Sequence, residues 1–216
     1  MDKPERSGSQ TLLLSVLLSS PGPLVVGIGL LVGRSSTQLA DFIRRSAELV
    51  AIIVSYLVYR ALNKSGVPVD LSRRQSLEHL ANLCVGVAMC LSALVMLAVA
   101  LLSRSAASGN VLFGLGIALL GVTTNTWFWL RYRRLNSLQA NSILEVQSRL
   151  YRAKTLVDSC VLVALLAVAA WPGTAVARYM DTGGSIVVAL YLAASGVKVL
   201  RGQKGRGDFV HFSVNS

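Results

Sequence analysis

The chain has 216 residues, of which 53% are hydrophobic and 14% are charged. Soluble domains carry about 45–50% apolar and about 25% charged residues, so this chain has too few polar groups to cover a water-soluble globule. The composition therefore excludes the soluble, disordered and disulfide-stapled classes and indicates an integral membrane protein. The formal net charge of +11 does not indicate nucleic-acid binding, since the positions of the basic residues fit membrane topology and lipid headgroups.

Six mainly apolar runs follow one another, each long enough to cross a hydrocarbon core about 30 Å thick as a helix. They cover residues 11–33, 39–62, 77–102, 111–130, about 152–171, and 183–200. Leu, Val and Ala dominate without the alternation of strands, so we expect an all-α fold with six transmembrane helices. Ser19 to Pro23 interrupt the first run without a cleavage motif, which predicts a retained, kinked helix instead of a signal peptide.

Basic residues predict the orientation of the six helices. Thirteen lie on one side, namely Lys3, Arg6, Arg60, Lys64, Arg73, Arg74, Arg131, Arg133, Arg134, Lys198, Arg201, Lys204 and Arg206. The loops of the opposite side carry only Arg34, Arg104 and Arg178. Both termini are therefore expected in the cytoplasm. The predicted organisation is a cytoplasmic tail at 1–10, a transmembrane domain at 11–200 and a short cytoplasmic tail at 201–216.

Ionisable residues also lie inside two of the runs, where they are costly unless they face a cavity or a partner. They are Asp41, Arg44, Arg45 and Glu48 in the second run, and Lys154 and Asp158 in the fifth. Each helix places a basic residue four positions before an acid, a spacing that puts both on one face. The pattern has two interpretations: intrahelical ion pairs that let the helices insert, or a polar cavity that passes a charged solute.

Two faces of the fifth helix carry polar residues. The face of Lys154 and Asp158 also carries Gln147, Tyr151 and Thr155. Glu145, Arg149 and Arg152 lie on a different face near the cytoplasmic end, where long side chains can reach water. The sequence leaves open whether Arg149 and Arg152 face headgroups, the cavity or a partner. A polar belt at 123–126 in the fourth run is compatible with a cavity.

Four stretches of the chain carry polar residues at characteristic spacings, and the spacing differs from one stretch to the next. They are Ser36-Thr37-Gln38-Leu39-Ala40-Asp41 continuing to Glu48, Arg74 to Glu78, Lys154-x-x-x-Asp158-Ser159, and Asp181-Thr182-Gly183-Gly184 continuing to Arg201. Together they resemble the second, third, fifth and sixth helices of the cation diffusion facilitator family. The resemblance implies a homodimeric transporter that exports divalent metal cations, usually zinc, in exchange for protons. It also implies a bacterial inner-membrane location and a bundle of four helices plus two.

Carried onto this sequence, the four ligand positions of the family are Arg44, Glu48, Lys154 and Asp158. Arginine has no lone pair for a metal, and lysine would first have to lose its proton. We therefore expect an atypical site in which Glu48 and Asp158 hold the cation or the coupling proton, with Asp41 nearby. Arg44 and Lys154 would be internal counter-charges. We also expect this chain to lack the C-terminal cytosolic domain that is common in the family.

The sequence is also compatible with other functions. The chain is alternatively a non-transporting structural or regulatory membrane subunit with permanent ion pairs, or a transporter of a different solute such as an anion. No catalytic motif such as HExxH or GxSxG is present, so we do not expect an enzyme. No resident cofactor is expected, and the only implied metal is the transported one. The predicted partners are the lipid bilayer and a second copy of the chain.

Overall fold

The computed structural model describes residues 3–32, 36–63, 70–102, 111–170 and 175–213, and this part of the chain is helical without any strand. Its helices are α1 (Lys3–Ser19), α2 (Pro21–Val32), α3 (Ser36–Leu62), α4 (Leu71–Leu102), α5 (Val111–Leu138), α6 (Ser142–Ala170) and α7 (Ala175–Ser213). Every predicted apolar run coincides with one of these helices or, for the first run, with the α1–α2 pair.

The predicted kink in the first run is confirmed by the break between α1 and α2. The amide N–H of Ser20 still donates to the carbonyl oxygen of Val16 at 3.0 Å, which closes the last turn of α1. Pro21 then begins α2, in the first-turn position where the missing N–H of proline costs least.

The helices extend beyond the apolar runs because polar residues can continue a helix outside the hydrocarbon core. The largest difference at a helix start is in α6, which begins at Ser142 and not near residue 152. Asn141 caps this start, since its Oδ1 accepts from the amide N–H of Ile143 at 2.9 Å. At the other end of the chain α7 continues to Ser213, through most of the predicted tail.

Three stretches of the described chain are long and apolar enough to cross a membrane: Arg6–Ile28, Leu71–Leu101 and Gly183–Gly202. They correspond to the α1–α2 pair, α4 and α7. The number of crossings and the side on which the termini lie remain predictions.

The helices form two packed groups. α5 packs along α6, and α1, α2 and α3 pack against one another; α4 and α7 form a second pair, which contacts the first group through α3 and α6. This pairing agrees with the four-plus-two arrangement that the resemblance implies. At the α4–α7 crossing a Cβ on Gly196 would lie 3.0 Å from the carbonyl oxygen of Gly86, so the two backbones approach closely.

The core of the first group contains large aromatic side chains. Phe128 and Tyr132 of α5 and Tyr151 of α6 are almost fully buried, as is Tyr59 of α3. The ring centroid of Tyr151 lies 4.9 Å from that of Phe128 and 5.4 Å from that of Tyr132. This aromatic cluster includes Tyr151, which precedes Lys154 by three residues on α6.

Candidate functional site

An ion pair between two helices forms the centre of the site. Lys154 Nζ of α6 lies 3.1 Å from Glu48 Oε2 of α3, and the two side chains are only 15% and 9% exposed. Ser92 of α4 donates its hydroxyl to Glu48 Oε1 at 3.0 Å. Both carboxylate oxygens of Glu48 are therefore occupied, and three helices meet at this one side chain.

This pairing corrects the interpretation of Lys154 and Asp158 as an intrahelical ion pair. Lys154 reaches across to α3 and holds Glu48 instead, because the buried carboxylate needs a counter-charge. Asp158 accepts a hydrogen bond from Asn125 Nδ2 of α5 at 2.6 Å. The lysine and the aspartate thus face partners on different helices.

The backbone of α5 is close to Asp158. A Cβ placed on Gly121 would lie 2.6 Å from Asp158 Oδ2, which is the oxygen that Asn125 also contacts. A side chain at position 121 would therefore displace the carboxylate from its position beside Asn125.

The four family ligand positions are brought into one region. Lys154 contacts Glu48 directly, Arg44 lies one turn before Glu48 on α3, and Asp158 lies one turn after Lys154 on α6. Arg44 and Arg45 also have further interactions of their own. The side chain of Asp41, the remaining predicted site residue, lies outside the described residues.

Tyr151 connects the ion pair to the aromatic cluster. Its ring centroid lies 5.2 Å from Lys154 Nζ, within the range of a cation–π contact. Its hydroxyl lies 3.3 Å from Ser19 Oγ at the end of α1. Lys154 therefore has two favourable contacts, the carboxylate of Glu48 and the face of an aromatic ring.

Arg149 and Arg152 lie outside the site. Arg149 pairs with Glu145 at 2.6 Å on an exposed face of α6, where both side chains are more than a third exposed. Arg152 is exposed and lies over the ring of Tyr191 of α7, 5.7 Å from its centroid. The predicted separation of these residues from the face of Lys154 is confirmed.

The atoms of the described site that could coordinate a cation are oxygens. No group of three His, Cys, Asp or Glu residues that could hold a metal ion occurs among the described residues. Glu48, Asp158, Asn125 and Ser92 offer carboxylate, amide and hydroxyl oxygens. Such donors suit a hard cation or a proton better than tetrahedral zinc.

The family assignment agrees with this architecture. The model of the cation efflux transmembrane domain matches residues 12–203. The chain belongs to the cation efflux family. It is therefore an integral membrane protein from a family of cation transporters, and the match covers all seven helices in whole or in part. No curated protein matches the chain.

Sequence reasoning missed some residues of this candidate site. Ser92 lies in a strongly apolar helix, and its isolated polarity was the only signal that it contacts Glu48. Asn125 was seen only as part of a polar belt, without its bond to Asp158. Gly121 gave no signal, because a glycine in a membrane helix is common and its meaning depends on the facing helix.

Proposed function

We propose that this cation efflux protein transports a cation through a site in which the cation and Lys154 alternate at Glu48. The observation that supports the proposal is the buried ion pair of 3.1 Å between Lys154 and Glu48, two of the four family ligand positions. A cation that binds Glu48 has to displace an ammonium group. Lys154 would therefore keep Glu48 neutralised whenever no cation is bound.

The physical reason for such a counter-ion is the cost of a buried carboxylate. An unpaired charge in a low-dielectric interior costs several kcal/mol. With Lys154 in place the site can lose its cation without leaving Glu48 unpaired. The ring of Tyr151, 5.2 Å from the ammonium, offers Lys154 a second contact while Glu48 holds the cation.

We further propose that the transported cation is divalent and is exchanged for protons, as family membership implies. Asp158 would supply the second carboxylate, with Asn125 fixing its orientation at 2.6 Å. Because the described donors are oxygens, we expect Mn²⁺ or another hard ion to be carried better than Zn²⁺. A homodimer in a bacterial inner membrane is proposed on the same family grounds.

Cation flux into proteoliposomes under an imposed proton gradient tests the proposal. Zinc, cadmium, cobalt and manganese are compared for wild type, Glu48→Gln and Asp158→Asn. Glu145→Gln is the matched control, because it removes a carboxylate from the exposed Arg149 pair of α6. We expect both site variants to abolish flux and the control to retain it. Flux that survives both site substitutions would contradict the proposal.

The same ion pair also fits a second candidate, a non-transporting membrane subunit. If no cation displaces Lys154, the Lys154–Glu48 ion pair is a permanent contact that holds α6 against α3. The double substitution Arg44→His with Lys154→His restores histidine at two family ligand positions. Metal flux that appears only in this double variant would favour the subunit over the transporter.

A further inference from the structure

Unsatisfied polar atoms gather around the beginning of α6, away from the ion pair. Gln147, in the second turn of α6, is 0% exposed, and neither its Oε1 nor its Nε2 has a hydrogen-bond partner among the described residues. Gln139 Oε1, three residues before the helix, is likewise buried and unpartnered. Asn82 Oδ1 is the third such acceptor, and its Nδ2 donates to Ser142, the first residue of α6, at 2.6 Å.

Most buried polar groups in folded proteins have a hydrogen-bond partner, because a buried polar atom without one loses its hydration and gains nothing in return. Gln147 lacks a partner for a donor and for an acceptor at once. A metal ion could satisfy only the oxygen, whereas water can both accept from Nε2 and donate to Oε1. The chemistry of the unpartnered atoms therefore indicates water.

Gln147 lies on the face of α6 that also carries Tyr151 and Lys154. Tyr151 lies one turn further along the same face of α6, with its hydroxyl 3.3 Å from Ser19, and Lys154 follows almost one turn later. From Gln147 to Lys154 the helix rises about 10 Å, at 1.5 Å per residue. Polar groups thus follow one another on this face from the end where α6 begins to the buried ion pair.

We propose that Gln147 binds buried water, and that this water forms an aqueous route from the beginning of α6 to the Lys154–Glu48 pair. Asn82 and Gln139 supply further acceptors near the start of the route. The ligand of the site is water, so the inference does not depend on which cation, if any, the chain transports.

Water-to-protein magnetisation transfer in solid-state NMR tests the inference on the full chain in lipid bilayers. We expect transfer from water to the side-chain amide of Gln147. The backbone amide of Ala153, also 0% exposed on α6, should receive none and is the internal control. Absence of transfer at Gln147 in the folded wild-type protein would overturn the proposal, and this comparison requires no variant.

Two substitutions test whether the water reaches the ion pair. Gln147→Met keeps the length of the side chain and removes both polar atoms, whereas Leu150→Met adds the same side chain at a buried apolar position. We expect the transfer from water to the Tyr151 side chain to fall several-fold in Gln147→Met and to stay unchanged in Leu150→Met. Equal transfer to Tyr151 in both variants would overturn the route. Neither readout requires transport, so failure here is distinguishable from failure of the proposed transport function.

Discussion

Glu48 and Lys154 are buried in the membrane domain as an ion pair without net charge, and each side chain compensates the charge of the other. Removing one partner of a buried pair leaves an uncompensated charge, which typically costs about 3–5 kcal/mol. We therefore expect Glu48→Gln to lower the free energy of unfolding by about this amount. Thermal unfolding of the purified protein in detergent measures the loss.

Two further variants separate the charge effect from a general loss of packing. Adding Lys154→Met to Glu48→Gln removes the unpaired ammonium and should restore most of the stability. Glu145→Gln breaks the exposed pair with Arg149 and should cost less than about 1 kcal/mol. A double variant as unstable as Glu48→Gln alone would show that the ion pair is not the cause.

Gly121 leaves room for the carboxylate of Asp158. We expect Gly121→Ala to disturb the Asp158–Asn125 bond, because the new Cβ would lie 2.6 Å from Asp158 Oδ2. The carboxylate can rotate away, so the fold should persist while cation flux falls. The control is Gly116→Ala on the same helix, where no heavy atom lies within 4 Å of the added Cβ. Equal flux in the two variants would contradict this role of Gly121.

The sequence predicted which residues belong to the candidate site, but it did not predict which of them contact one another. Family spacing brought Glu48, Lys154 and Asp158 to attention; Lys154 contacts Glu48, and Asp158 lies one turn after Lys154 on α6. The pairing of Lys154 with Glu48 instead of Asp158 depends on the distance between α3 and α6, which no local pattern contains. The same holds for Ser92, whose partner lies 44 residues away in the chain.

The α4–α7 pair depends on a close approach of two backbones. A Cβ on Gly196 would lie 3.0 Å from the carbonyl oxygen of Gly86 and 3.1 Å from the amide nitrogen of Cys90. Backbone atoms cannot move aside without separating the helices, so we expect Gly196→Ala to destabilise the protein by about 1–3 kcal/mol. Thermal unfolding in detergent checks this prediction.

Gly202→Ala is the control for this element, since it lies on α7 with no heavy atom within 4 Å of the added Cβ. Alanine is a better helix former than glycine, so this substitution should leave stability unchanged or slightly higher. If both variants unfold at the same temperature, the close crossing does not stabilise the pair.

The existence of the helices was predictable, whereas their ends were not. Apolar runs located each helix because about 20 apolar residues are needed to span the hydrocarbon core. The start of α6 lies ten residues before the predicted one, where the Asn141 cap and not apolarity sets the boundary. The spacing of Glu145, Gln147 and Arg149 places these residues on the fifth helix, but hydropathy does not show at which residue that helix begins.

For the molecule as a whole, the six apolar runs predict six crossings, and the distribution of basic residues predicts that both termini lie in the cytoplasm. Reporter fusions at the C-terminus and beside Arg34, Arg104 and Arg178, the basic residues predicted on the opposite side, check this topology. We expect a fluorescent protein at the C-terminus to fold in the cytoplasm and alkaline phosphatase to be active at the other three positions. Active phosphatase at the C-terminus would contradict the predicted orientation.

In the proposed mechanism, Lys154 and the transported cation compete for Glu48. Equilibrium binding of Mn²⁺ to the purified protein tests this competition, with wild type compared to Lys154→Met. Removing the competing ammonium should tighten binding about tenfold, equivalent to about 1.4 kcal/mol. Glu48→Gln should abolish binding in the Lys154→Met background. Affinity that is unchanged or weaker in Lys154→Met would contradict the account.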